Sequence, residues 1–196
     1  MRQDINASAV LRSESYRPVA WKNGTGTTDE IAASSAIEPG WRLSLATIDR
    51  DGPFSDFTGY DRTIVPIQGN GIELTFDEVD AVLLERRFQA FGFRGERRTW
   101  CRILGGPVRD FNVMTRRAAF SHVVDVRPVT EAVTVEPDRL GFVHLLRGSV
   151  AGARTGDTIR IGAGGLFATP DAAAGTLLCV VKIARVGKPE SKQRHR

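Results

Sequence analysis

Three arginines stand on strand-like segments of this 196-residue chain and are the side chains best suited to chemistry: Arg42, Arg62 and Arg116. A guanidinium stays charged and presents parallel N–H donors, so it grips a carboxylate through two bonds at once. In WRLSL, Trp41, Leu43 and Leu45 alternate with Arg42 and Ser44, which is the period of a strand with two faces of different chemistry. The segment DFNVMTRR repeats the design. Phe111, Val113 and Thr115 share one face, and Asp110, Asn112, Met114 and Arg116 share the other. Two such polar faces turned into one enclosed space would hold a small organic anion. Arg42 or Arg116 would be the clamp, Ser44 and Asn112 the orienting groups, and Trp21 or Met114 the walls. Asn23, Thr27 and Glu30, around the NGTG turn, are further polar groups near enough in sequence to reach a ligand from that turn.

Other chemistries lack their residues. The histidines are His122, His144 and His195, with no His-x-His pair, so neither a metal nor a cofactor is expected. There is no Gly-x-Ser-x-Gly elbow, and Cys101 and Cys179 sit in apolar runs that read as buried free thiols. No catalytic residue is assigned. A carboxylate base, Glu30 or Asp110, is the enzymatic alternative.

The elements that must position these groups are strands. Asp51-Gly52-Pro53 turns the chain after the first polar face, and a loop carrying Phe54, Ser55, Asp56, Phe57 and Tyr60 follows. TIVPIQ, the three residues Gly69-Asn70-Gly71, and IELTF read as a hairpin, with Pro66 marking an edge or a bulge. No stretch of ten residues has a helical apolar period, so the fold class is all-β. VHLLRGSVAGA aligns with IVPIQGNGIEL when Gly148 is set on Gly69, pairing Val143 with Ile64 and Leu146 with Ile67. That internal repeat predicts two related β-barrels fused in tandem. The expected divisions are 1–117, 118–187 and a basic, disordered tail over 188–196.

Composition bounds the partners. At 41% hydrophobic residues the chain can bury a substantial core. Its net charge of +4 is concentrated in the tail, which leaves a nearly neutral body unsuited to a nucleic-acid groove. No apolar run is long enough to span a bilayer and no signal-like start is present. A soluble, cytoplasmic protein is expected, with a small anionic metabolite as partner, no membrane or nucleic acid, and room for a homodimer.

Taken in order and at their separations, WKNGTGTTDEI, WRLSLATIDRDGPFSDFTGYDR and GPVRDFNVMTRR resemble the HutD/Ves family of bacterial proteins. The resemblance implies a bicupin, two cupin-like barrels in one chain. It also implies an association with histidine utilisation, and a regulatory role through binding a formylated glutamate-like intermediate. Ves relatives carry a stress-related label. Among the positions that match the family motifs, the expected ligand-binding set is Trp21, Asn23, Arg42, Ser44, Arg62, Asn112, Met114 and Arg116. Two other readings stay open: a metal-independent isomerase or hydrolase, and a regulator whose protein contacts depend on a metabolite.

Overall fold

A computed structural model of the chain describes residues 9–21, 26–130, 132–136, 138–150, 152–169 and 171–187. In chain order its strands are β1 (Ala9–Leu11), β2 (Arg17–Ala20), β3 (Gly26–Ala33), β4 (Trp41–Ile48), β5 (Gly52–Pro53), β6 (Tyr60–Gln68), β7 (Ile72–Phe76), β8 (Asp80–Leu84), β9 (Phe91–Arg94) and β10 (Thr99–Ile103). There follow β11 (Val108–Arg116), β12 (Phe120–Pro128), β13 (Val133–Thr134), β14 (Arg139–Arg147), β15 (Ser149–Val150), β16 (Ala153–Arg154), β17 (Thr158–Ile161), β18 (Leu166–Phe167) and β19 (Leu177–Arg185). Apart from one 3-10 turn, Ser13–Ser15, the described residues contain no helix. None of them therefore forms a helix long and apolar enough to cross a membrane.

Three sheets carry the architecture. A six-stranded sheet runs β2-β3-β4-β11-β6-β9, a four-stranded sheet runs β5-β10-β7-β8, and a five-stranded sheet runs β1-β17-β14-β19-β12. The first two enclose Ile48, Ile64, Ile72, Leu74, Phe76, Leu84, Cys101 and Val108. A second core, including Val143, Leu145, Ile159, Leu178 and Val180, fills the C-terminal half. Between the halves the six- and five-stranded sheets meet face to face: Trp41, Leu43, Leu45, Phe111 and Val113 pack on Phe142, Cys179, Val181 and Ile183. Trp41 and Phe142 have ring centroids 5.4 Å apart. Each such side chain contributes about 1.5–3 kcal/mol by leaving water. That burial fixes which way β4 and β11 face, because slipping either by one residue would send its apolar set to the wrong side.

The expected hairpin at Gly69-Asn70-Gly71 is not one. β6 pairs with β11 and β9, whereas β7 pairs with β10 and β8, so the glycines turn a corner from one sheet to the other. Gly69 and Gly71 take φ of +89 and +101, a region open chiefly to glycine. Pro66 marks a bulge: Asp110 pairs with Pro66 and Arg109 with Gln68, leaving Ile67 unpaired. The repeat seen in the sequence reappears here in physical form. In β14, Leu145 pairs with Leu178 and Arg147 with Leu177, so Leu146 is the bulged residue, and Gly148 follows with φ of +87. Ile67 and Leu146 both pack on the shared core, while Ile64 and Val143 enter the cores of their own halves. β11 and β12 flank the expected boundary near residue 117, and β1 crosses over to pair with β17. The 188–196 tail lies outside the described residues.

Candidate functional site

With Leu43, Leu45, Phe111 and Val113 committed to the shared core, the intervening side chains of β4 and β11 face into the N-terminal half. Cross-strand register then sets them in rows. Arg42, Met114 and Arg62 stand side by side on β4, β11 and β6; Ser44, Asn112 and Ile64 form the next row; Ala46, Asp110 and Pro66 the third. Successive rows lie two residues, about 6.7 Å, apart. The chemistry therefore grades from cationic, through hydroxyl and amide, to carboxyl.

Four of these polar groups are withdrawn from water, and Arg42 is half-buried. Arg62 is 6% exposed, Ser44 2%, Asn112 5% and Asp110 1%. Arg62 makes no hydrogen bond among the described residues; its guanidinium lies 5.2, 5.0 and 5.0 Å from the ring centroids of Phe54, Phe57 and Phe93. Arg42 lies 5.6 Å from the Phe57 centroid and donates only to Met114 Sδ, at 3.4 Å. Burial, aided by the neighbouring Arg42 charge, pushes Arg62 down to about 10. Burial pushes Asp110 up to about 7, against the opposing pull of Arg62. Among the described residues Arg62 Nε, Arg42 Nε, Asn112 Oδ1 and both Asp110 carboxyl oxygens have no partner of good geometry; the Asp110 and Ala46 amides lie near enough only to offset part of the carboxyl's burial. Such atoms each cost about 1–3 kcal/mol when left unpaired. Among the described residues the Nε atoms of Arg109, Arg116 and Arg139 also lack a hydrogen bond, but those guanidiniums are ion-paired with Asp29, Glu38 and Glu136.

The loop after β5 forms the cover. Phe54 N donates to Thr99 O at 2.8 Å and Phe57 N to Gly95 O at 3.0 Å, which holds both rings over the guanidiniums. On its outer side Phe54 lines, with Pro53, Thr99 and Trp100, a cavity of about 280 Å³. The Phe54 ring thus lies between that cavity and Arg62.

The expected ligand-binding residues divide. Arg42, Ser44, Arg62, Asn112 and Met114 come together as described. Arg116 shares their face but sits past the last row, at the rim, where its Nη2 donates to Glu38 Oε2 and to Tyr60 Oη, each at 3.2 Å. Trp21 packs half-buried on the edge of the same core and donates from Nε1 to Thr28 Oγ1 at 2.7 Å; Thr28 pairs with Ala46, in the row of Asp110. Asn23 lies outside the described residues. Glu30 is opposite Ser44 in register but is bound by Arg17 Nη2 at 2.7 Å. Sequence reasoning left out of the ligand-binding set Asp110, whose parity with Asn112 was the available signal, and the phenylalanine cover, for which there was none.

His122 and His144 stand apart from this interior. His144 is buried, stacked on Phe111 at 4.8 Å and bonded to Thr158 Oγ1 at 2.9 Å, and burial pushes it down to about 3. Among the described residues no three His, Cys, Asp or Glu side chains cluster as a metal site would require. Cys101 and Cys179 are free and buried, and burial raises both thiols, Cys101 to about 12.

Comparison with known proteins is consistent along most of the chain. The HutD family profile matches residues 13–181. An uncharacterized 21.2 kDa protein in the hutC 3′ region of Pseudomonas putida is 44% identical over 109 residues, spanning 54% of this chain and 56% of that protein. That match therefore covers little more than half of the relative's length. Protein Ves of Escherichia fergusonii is 31% identical over 131 residues, 65% of this chain and 67% of that one. The structure of HutD from Pseudomonas fluorescens SBW25 superposes with a TM-score of 0.78 at 29% identity, over 92% of this chain and 100% of that one. A cupin 2 conserved barrel domain protein from Leptotrichia buccalis, 10% identical with a TM-score of 0.57 over 94% of this chain and 99% of that one, shares the fold alone. The all-β architecture is that of the cupins.

Proposed function

The chain belongs to the HutD family, and from that premise we propose that the interior of its N-terminal half binds a small carboxylated metabolite in a regulatory rather than catalytic role. A formylated glutamate derivative is the candidate ligand. One observation carries the reading: a buried guanidinium, Arg62, and a half-buried one, Arg42, with no carboxylate in contact among the described residues, share a face with one buried amide and one buried carboxyl, all with unpaired atoms. A ligand carboxylate satisfies Arg42 and Arg62, and an N–H on the same molecule satisfies Asn112 Oδ1 or Asp110. Water-free surroundings make such bonds worth more than they would be at the surface.

Isothermal titration with N-formylglutamate, glutamate and formate tests it. Formate is included because the Pseudomonas fluorescens HutD structure is described for a formate condition. Saturable binding to the wild type that weakens about a hundredfold in Arg62→Met, and also weakens in Arg42→Ala, supports the proposal. Equal affinity in the variants removes the clamp.

A second reading rests on Asp110. A carboxyl held near 7 can exchange a proton at neutral pH, which suits a metal-independent isomerase or hydrolase. Turnover of a bound carboxylate that disappears in Asp110→Asn while binding persists would select this reading over the first.

A further inference from the structure

A separate depression of about 330 Å³ lies on the opposite side of β6, at the seam where the edge strands β9 and β12 approach each other. Arg62 turns its side chain into the protein, whereas Asp61 and Thr63, of the other parity, turn theirs toward the seam. Gly92 helps keep the depression open. A Cβ there would sit 3.6 Å from Thr63 Oγ1, in ordinary contact, so any larger side chain would cover that hydroxyl.

Hydrogen-bond accounting shows what the wall presents. His122 Nε2 is 2.8 Å from Thr63 Oγ1, and His122 Nδ1 is 2.7 Å from Thr115 Oγ1. Thr115 is fully buried, and its hydroxyl has no other partner among the described residues. Leaving that proton without an acceptor would cost about 1–3 kcal/mol, so Thr115 donates to Nδ1. His122 is half-buried and favours the neutral ring. Its single proton is then on Nε2 and goes to Thr63 Oγ1. The Thr63 proton is left free to point into the depression.

Arg94 lines the same space, and among the described residues its guanidinium has no hydrogen bond or ion pair, though it lies within the field of Glu96; Ser121 also lines it but turns its side chain to the opposite face of β12 from His122, Phe120 and Val124. The acid on the wall, Asp61, already accepts from Arg117 Nε at 2.8 Å. The unspent groups are thus one hydroxyl donor and a guanidinium. We propose that this seam is a second binding site, for a small oxyanion, with Arg94 supplying the charge and Thr63 the neutral donor. His122, anchored by Thr115, acts as a positioning residue that aims the Thr63 hydroxyl outward. Arg62 and Phe93 also line the depression, but their side chains, of the other parity, turn to the interior, so the two sites share β6 and β9 and no donor group.

Inorganic phosphate and acetate are the probes, titrated into the full chain at ionic strength matched with chloride, with the His122 ring signals followed by NMR. The expected result is a saturable shift of those signals with one of the two anions, which identifies the oxyanion class. Affinity should fall about tenfold in Arg94→Gln, as loss of a charged hydrogen bond predicts, and binding should be absent in Gly92→Val. The exposure of both positions keeps these variants folded. Arg42→Gln, in the interior site, should leave the shift unchanged. Overturning results are no saturable shift beyond the chloride control, equal affinity in Arg94→Gln, or a loss in Arg42→Gln as large as in Arg94→Gln, which would assign the anion to the interior.

Discussion

The two halves of this protein solve the same packing problem with opposite chemistry. β11 against β6 in the first half corresponds to β19 against β14 in the second, and each pair carries the same bulge before the same positive-φ glycine. Counting rows from that bulge, Asp110 and Pro66 correspond to Leu178 and Leu145, Asn112 and Ile64 to Val180 and Val143, and Met114 and Arg62 to Lys182 and Gly141. The second interior is filled. Leu145, Leu178, Val143 and Val180 are all buried in its core, and at Gly141 a Cβ would meet Val135 Cγ2 at 2.3 Å. Val135 thus occupies the space that a side chain at the Arg62 position would need. Lys182 turns instead to Glu136, at 3.1 Å. A fold that can close on aliphatic side chains in one half has no stability reason to bury a guanidinium, an amide and a carboxyl, with a second guanidinium half-buried beside them, in the other. Replacing buried charge with well-packed apolar groups is commonly neutral or stabilising, and this contrast is what the proposed binding role rests on.

The comparison can be broken most severely by moving the first half's chemistry into the second. Leu178→Asp, which copies Asp110 into the aliphatic interior, should cost about 4 kcal/mol or more at pH 8 by urea unfolding. A loss under about 1 kcal/mol would mean that the second interior is not closed to polarity. Arg62→Met makes the reverse move. It should cost about 3 kcal/mol in carboxylate affinity by titration calorimetry while leaving the unfolding midpoint unchanged or higher. A lowered midpoint with intact affinity would make Arg62 structural.

Asp110→Asn sharpens the contrast through pH. The carboxyl is raised from 3.8 to about 7, so the folded state holds its proton more tightly than the unfolded state. Wild-type stability is therefore fully present below about pH 4 and declines as pH rises to about 7, over a span worth about 4 kcal/mol. Asparagine does not ionise but still pays part of the desolvation, so the variant should be about 2 kcal/mol more stable than wild type at pH 8. That gain should vanish near pH 4. A pH-independent difference in unfolding free energy would show that Asp110 does not titrate as its burial requires. The smallest effect belongs to the rim: Arg116→Ala, which loses exposed contacts to Glu38 and Tyr60, should change stability by less than about 1 kcal/mol and affinity by less than about twofold. An affinity loss matching that of Arg62→Met would move the clamp to the rim.

Alternation made much of this legible before any coordinates. Trp41, Leu43 and Leu45 against Arg42 and Ser44, and Phe111 and Val113 against Asn112 and Met114, have one outcome once the apolar set is buried. The hairpin at Gly69 was misread because a glycine corner between two sheets uses the same residues as a turn within one. Arg116 obeys the alternation yet ends at the rim, since parity fixes a face but not how far along the strand the buried rows reach. The ring cover over Arg62 had no sequence signal. Phe54 and Phe57 come from a loop and Phe93 from an edge strand, and their convergence depends on how the loop after β5 is tied to Thr99 and Gly95.

By itself the sequence determined the strand character of the chain, the two faces of β4 and β11, and the twofold repetition of a strand ending in a glycine turn, because each is a local consequence of side-chain period and backbone freedom. Only the tertiary structure decided that Arg42 and Arg62 would lie in one row, that Asp110 would be sealed beneath them with no side-chain partner among the described residues, and that His122 would be spent on two threonines. Those outcomes depend on strand order and register between segments dozens of residues apart, which local period cannot encode.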